Sequence, residues 1–167
     1  MNSLSRNDAR KIEPEELEKI AQAWGPATQV FYAWLARKNA CDWLNEESLD
    51  SLARANKVGL VGATLTIHHI YPRKLAAENL SNPNDVNCLA NFAIVSRETN
   101  SKFNDTPPNE VLETLSARQR GHASVQLFGQ EAGDRLNRHH FDEFRAWRAK
   151  RLSEEFNKEF WISRRKQ

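Results

Sequence analysis

Thr66-Ile67-His68-His69-Ile70-Tyr71-Pro72 ends a short β-branched run in two adjacent histidines. Downstream, Asn91 stands directly before a second apolar run, Phe92-Ala93-Ile94-Val95. A polar segment from Ser96 to Lys102 follows and carries Asn100, nine residues after Asn91. Short runs of branched and aromatic residues read as strands, and the polar stretch behind them as a helix. The order is strand, loop, strand, helix, with the histidine pair at the end of the first strand. Successive strand residues point to opposite sides, so neighbouring histidines can do different jobs. An imidazole with a pKa near about 6.5 accepts a proton at neutral pH. Taken singly, a histidine pair is also common in cores and on surfaces, and asparagines favour turns and caps. The order and spacing of all four residues carry the signal.

On either side of this stretch, proline, glycine and apolar spacing mark helices. Pro14-Glu15-Glu16 is a helix start, because proline suits the first turn and acids there complement the dipole. Leu17, Ile20, Ala21 and Trp24 follow at helical spacing. Gly25-Pro26 breaks that helix and opens another, with Val30, Phe31, Trp34 and Leu35 as its buried face. Asp42-Trp43-Leu44-Asn45 reads as a connector, Ser48 to Ala55 as a short helix, and Asn56 to Gly59 as a turn. Arg73 to Leu80 reads as a brief helix or loop, and Ser81-Asn82-Pro83-Asn84-Asp85 as a turn cluster. Thr106-Pro107-Pro108 caps and opens a helix with Val111, Leu112 and Leu115 on one face. Arg118 to Gly133 is mixed. Phe141 to Trp161 reads as a long amphipathic helix built on Phe141, Phe144, Leu152, Phe156 and Phe160. The expected fold class is α+β, mostly helical, with a short β-hairpin and a helix embedded in a helical domain. Residues 1–12 are expected to fray and 13–167 to form one domain. Its hairpin-helix core falls at about 64–104 and its C-terminal helical segment at about 107–162.

Bulk properties exclude several classes. The chain has 167 residues, enough for one domain with a real core. Hydrophobic residues make up 40% and charged residues 28%, ordinary values for a globular protein. No apolar run approaches the roughly 20 residues that span a bilayer. Met1 to Asp8 lacks an apolar signal core, so a cytoplasmic location and no membrane partner are expected. Cys41 and Cys88 are isolated, which reads as two small reduced residues and not as a disulfide or zinc pair. Net charge is +2, but residues 134–167 carry 10 Lys/Arg against 6 Asp/Glu. That basic tail either follows a phosphate backbone or is a solvated helix face. His139-His140 is a second pair without partner asparagines and reads as structural or surface, and His122 carries no motif. Trp24, Trp34 and Trp43 read as core.

The combination of Ile67-His68-His69-Ile70-Tyr71-Pro72, Leu89-x-Asn91-Phe92-x-Ile94-Val95, Asn100-Ser101-Lys102 and Pro107-Pro108 resembles the ββα-metal motif of HNH endonucleases. Within them it is most similar to the C-terminal nuclease domain of GmrSD-type and SspE-type defence enzymes. The segment Phe31 to Arg37 with Asp42-Trp43, and the spacing of Phe141, Phe144 and Arg148, fit the same family. The resemblance covers roughly residues 26–160. Those enzymes carry an N-terminal nucleotide-hydrolysing or sensor domain, and its signature is not in this sequence. The chain is therefore expected to be an excised domain or a stand-alone nuclease.

The resemblance implies a metal-dependent endonuclease or nickase acting on DNA phosphodiesters, in restriction or anti-phage defence. It implies His68 as metal ligand, His69 as general base, Asn91 as the residue that ties the loop and orients the base, and Asn100 as the second metal ligand. Two protein ligands leave positions for water and phosphate, which favours one Mg²⁺ or Mn²⁺ over a closed zinc site. Arg97 and Lys102 flank Asn100, and with Arg73 and Lys74 they are candidate DNA contacts. Arg145, Arg148 and Arg151 on the C-terminal helix are candidates for the same role, with Arg148 the weakest member because it falls nearer the apolar stripe, where an internal hydrogen-bond donor is the alternative. The alternative is a non-catalytic nucleic-acid-binding module that keeps the HNH fold. A helical interaction domain with a structural zinc is a third reading, which the scarcity of cysteine disfavours.

Overall fold

Two strands and eight α-helices are assigned among the described residues, which in this computed structural model are 11–161 apart from 20, 22, 24, 56–64, 79, 81 and 82. Helices α1 (Pro14–Leu17), α2 (Pro26–Arg37) and α3 (Leu49–Ala55) precede strand β1 (Leu65–His69). The connection onward holds α4 (Arg73–Ala77) and 3₁₀ turns at Pro83–Val86 and Leu89–Asn91. Strand β2 (Phe92–Ser96) runs straight into α5 (Arg97–Phe103). Helices α6 (Pro108–Thr114), α7 (Ala117–Val125) and α8 (Phe141–Phe156) follow, with a 3₁₀ segment at Gln130–Leu136 and a π turn at Asn157–Trp161. The architecture is α+β and mostly helical, with one small antiparallel sheet. Among the described residues no helix is long and apolar enough to cross a membrane.

β1 pairs with β2 in the register Leu65 with Ser96, Ile67 with Ile94, His68 with Ala93 and His69 with Phe92. Every residue of β2 is buried. The period of two explains how. Phe92 and Ile94 enter a core with Phe31, Trp34, Leu35, Leu152 and Phe156. Ala93 and Val95 enter a second core with Trp43, Tyr71, Phe128, Phe141 and Phe144. The hairpin is thus a partition between two apolar clusters, and a strand buried on both faces reads as an unbroken apolar run.

The outer edge of β2 is closed by a side chain. Gln126 Oε1 accepts from Ile94 N at 2.9 Å, and its Nε2 donates to Ile94 O at 2.8 Å. Behind it, Arg148 is fully buried. Its Nε and Nη2 donate to Gln126 O at 3.2 and 2.7 Å, and its Nη1 donates to Ala90 O at 2.8 Å. The guanidinium lies over the Phe31 ring, 5.7 Å from its centroid. Burial pulls its pKa down to about 9, still far above neutral pH, so the cation persists and carbonyl oxygens solvate it. Arg148 is therefore a core residue, and the expectation that it contacts DNA is wrong. Its position midway between Phe144 and Leu152 puts it on the buried face of α8.

Other expectations also need correction. Ile12 does not fray: its N–H donates to Asn157 Oδ1 at 2.9 Å and its carbonyl accepts from Ser153 Oγ at 2.7 Å. α1 ends at Leu17, and the proposed continuation through Ile20 and Trp24 lies outside the described residues, as do Asn56 to Gly59, Ser81 and Asn82. Val30 is 38% exposed, although Phe31, Trp34 and Leu35 are buried. The N-cap of α6 is Pro107, not Thr106. The segment read as mixed contains α7, started by Ser116 and Gln119 bonding reciprocally to each other's backbone N–H. The long C-terminal helix is α-helical only to Phe156 and widens into the π turn.

Two outcomes are expected from this packing. Arg148→Met should lower stability by about 2–4 kcal/mol, because buried carbonyls lose their charged donor; chemical denaturation would measure it, and a loss under about 0.5 kcal/mol, the range of ordinary surface changes, would contradict the core assignment. Burial pushes the Cys88 thiol up from its ordinary 9.0 to about 11. The folded state therefore favours the protonated thiol. That contribution to stability is complete below pH 9.0 and is lost as pH rises towards about 11. At pH 8, iodoacetamide should modify only Cys41 in the native chain and both cysteines after unfolding.

Candidate active site

The polypeptide chain builds the site at the junction of β1, β2 and α5. Ser96 is the last residue of β2 and the N-cap of α5, its Oγ accepting from Thr99 N at 3.1 Å. Asp42, fully buried, holds this junction from outside. Its Oδ1 accepts from Ser96 N at 2.5 Å, and its Oδ2 from Thr99 Oγ1 at 2.6 Å, Leu44 N at 3.0 Å and Asn45 N at 3.2 Å. With the start of α5 fixed, Asn100 stands one turn along, facing the end of β1.

His68 and Asn100 meet there. His68 Nδ1 is 3.0 Å from Asn100 Oδ1. His68 is 1% exposed and its ring packs edge-on against Trp43, centroids 5.5 Å apart. Burial drives its pKa down to about 4, against the upward pull of Asn100, so the ring is neutral at neutral pH. His69 projects from the opposite face of β1. Its Nε2 lies 3.0 Å from Asn87 Oδ1, and its ring packs edge-on against Phe92 at 5.3 Å. Burial also lowers the His69 pKa, the Asn87 contact opposes this, and the Arg73 charge adds to the lowering.

Asn91 is buried in the connection between the strands. Its Oδ1 accepts from Tyr71 N at 2.8 Å, and its Nδ2 donates to Tyr71 O at 3.0 Å and Val86 O at 3.1 Å. The loop after the histidine pair is thereby stitched to the segment before β2. The expected contact with the base is different: the carboxamide at His69 belongs to Asn87.

A cleft of about 160 Å³ opens at this point, and its lining includes His68, His69, Arg73, Asn100, Asn104 and Asp105. A larger hollow of about 290 Å³, bordered by Leu112, Arg120 and Leu136, contains none of the candidate residues. Arg73, Lys74, Arg97 and Lys102 are exposed and make no ion pair with a described residue. The α8 arginines differ. Arg145 pairs with Glu18 at 3.4 Å and Asp142 at 3.0 Å, and Arg151 pairs with Glu154 at 3.1 Å. Among these candidates the unpaired cations therefore sit on α4 and α5, the helices beside the cleft.

Among the described residues no group of three or more His, Cys, Asp or Glu side chains is gathered as a metal site. His68 and Asn100 bring together two possible ligands, an imidazole nitrogen and a carboxamide oxygen. The two donor atoms, 3.0 Å apart, match the edge of an octahedron with metal–ligand distances of about 2.1 Å. If Nδ1 instead donates a proton to Asn100, Nε2 keeps a lone pair in a buried position with no hydrogen-bond partner. A cation at Nδ1 would leave the proton on Nε2. The residues present fit a divalent cation.

Sequence reasoning missed Asp42, Asn87, Asn104 and Asp105. An aspartate bonding the backbone two and three residues on is turn chemistry, so part of the role of Asp42 was available locally. Asn87 had no local signal, since its partner is 18 residues away. Comparison of the chain with protein-family models, with curated proteins and with solved structures found no match.

Proposed function

We propose that this chain hydrolyses DNA phosphodiester bonds as an HNH-type endonuclease or nickase, with Mg²⁺ or Mn²⁺ held by His68 and Asn100. The observation that carries the reading is the approach of His68 Nδ1 to Asn100 Oδ1 at 3.0 Å, in the cleft that His69 also lines. When bound, the cation supplies Lewis-acid neutralisation of the phosphate and the leaving oxygen. His69, uncharged at neutral pH, takes a proton from the attacking water. The hydroxide adds to phosphorus, the bond to the leaving sugar oxygen breaks, and that oxygen takes a proton from solvent. Arg73, which lines the cleft, holds a phosphate oxygen in this reading. Lys74, Arg97 and Lys102 offer further phosphate contacts on the flanking helices. Restriction or anti-phage defence is the setting that the sequence resemblance implies. Relaxation of supercoiled plasmid in Mg²⁺, in Mn²⁺ and in EDTA tests the proposal; absence of metal-dependent cutting would favour a binding module with the same fold.

His69→Ala should lower the cleavage rate by about 10²–10⁴-fold with DNA binding retained. Cleavage within a few-fold of wild type would remove His69 from the role of base. His68→Ala and Asn100→Ala should instead raise the metal concentration needed for half-maximal activity, and should weaken Mn²⁺ binding read by electron paramagnetic resonance. Overlaid titrations would place the metal elsewhere.

The grip on DNA should come from the unpaired cations of α4 and α5. Neutralising Arg73, Lys74, Arg97 and Lys102 together should weaken binding to all sequences alike. It should also flatten the slope of log K against log salt by up to about 0.9 per lost contact. The same change at Arg145 and Arg151 should leave the slope nearly unaltered, because their charges are already paired. Equal effects from the two sets would overturn this assignment.

A further inference from the structure

The polar groups around the histidine pair are committed unevenly. Both amide protons of Asn91 go to Tyr71 O and Val86 O, and its oxygen accepts from Tyr71 N. The Asn91 carboxamide is thus spent on the loop. Asn87 brings Oδ1 to 3.0 Å from His69 Nε2. Its own backbone is fixed on both sides: its N–H donates to Asn84 O at 2.9 Å, and its carbonyl accepts from Ala21 N at 2.7 Å. Phe92 packs edge-on against the same imidazole.

A carboxamide oxygen accepts and cannot donate. The ring nitrogen that faces it must therefore carry the proton. His69 Nδ1 is then left with the lone pair, and it has no hydrogen-bond partner among the described residues. We infer that Asn87 is the positioning residue of this site: its oxygen holds His69 as the Nε2–H tautomer and leaves Nδ1 as the basic atom. The inference rests on the reading of His69 as general base. A base oriented by a third group is the general arrangement for activating a nucleophile. Here the third group comes from the connection between the hairpin strands, on an element separate from the metal-binding pair.

Long-range ¹⁵N–¹H correlation spectra of the imidazoles, at one fixed neutral pH, read the tautomer without reference to turnover. The wild-type chain should show His69 as a single Nε2–H form. Asn87→Leu should give a mixture of tautomers and a kcat lower by about 10–100-fold, with KM changed little. Asn87→Asp keeps an acceptor oxygen and should restore the single tautomer and most of the turnover, a rescue that a merely structural residue would not show. His69 found as the Nδ1–H form in wild type would overturn the inference, and so would a tautomer unchanged in Asn87→Leu. If Asn87→Leu does not fold, the wild-type and Asn87→Asp spectra decide. A wild-type chain that holds the Nε2–H form but cuts no DNA with either metal would sink the nuclease reading and leave the positioning of His69 standing.

Discussion

The buried carboxylate of Asp42 is the interaction on which the rest of the site depends. A carboxylate enters a core only when its oxygens are occupied by donors. Here three backbone N–H groups and one hydroxyl fill that need, and two of these donors, Ser96 N and Thr99 Oγ1, lie where β2 turns into α5. The point at which strand becomes helix cannot slide without orphaning a buried charge. Asn100 inherits its place from this constraint. The next residue, Trp43, packs against His68. One dipeptide from the connector between α2 and α3 therefore positions both halves of the candidate metal pair.

The second support is polar as well. A two-stranded hairpin is marginal by itself, and among the described residues no third strand joins this one. Gln126 stands in for it, pairing with both backbone groups of Ile94 as a neighbouring strand would. Arg148 then binds the Gln126 carbonyl, so α8 is tied to the far edge of the hairpin. The cation adds rigidity behind β2, where it cannot reach a nucleic acid. Groups that must stay within a few tenths of an ångström of a working geometry need such backing.

Local chemistry made much of the fold legible. The prolines at 14, 26 and 108 each occupy the first turn of a helix, where a missing N–H does no harm. The apolar runs at 65 and 92 form the hairpin. What escaped was set by tertiary contact. α7 buries little besides Ala123, so it has no apolar periodicity, and only its Ser116–Gln119 capping box announced it. Arg148 belongs by charge to the basic tail, while its four-residue spacing from Phe144 and Leu152 already draws it toward the apolar stripe; its full burial is what tertiary contact adds. At the site, the histidines and asparagines stood out by type and order. Asp42 and Asn87 did not, because each acts on a residue far away in sequence.

The partition of β2 between two cores has a consequence for accuracy of assembly. Side chains of very different volume alternate along the strand: Phe92 and Ile94 on one side, Ala93 and Val95 on the other. Pairing displaced by a single residue would send each set to the wrong side, leaving a void in one cluster and a clash in the other. The same displacement would exchange the surroundings of His68 and His69. Chain assembly therefore proofreads the histidine pair through van der Waals volume, before any ligand is present, and the two imidazoles are told apart by the bulk of the neighbours across the ladder.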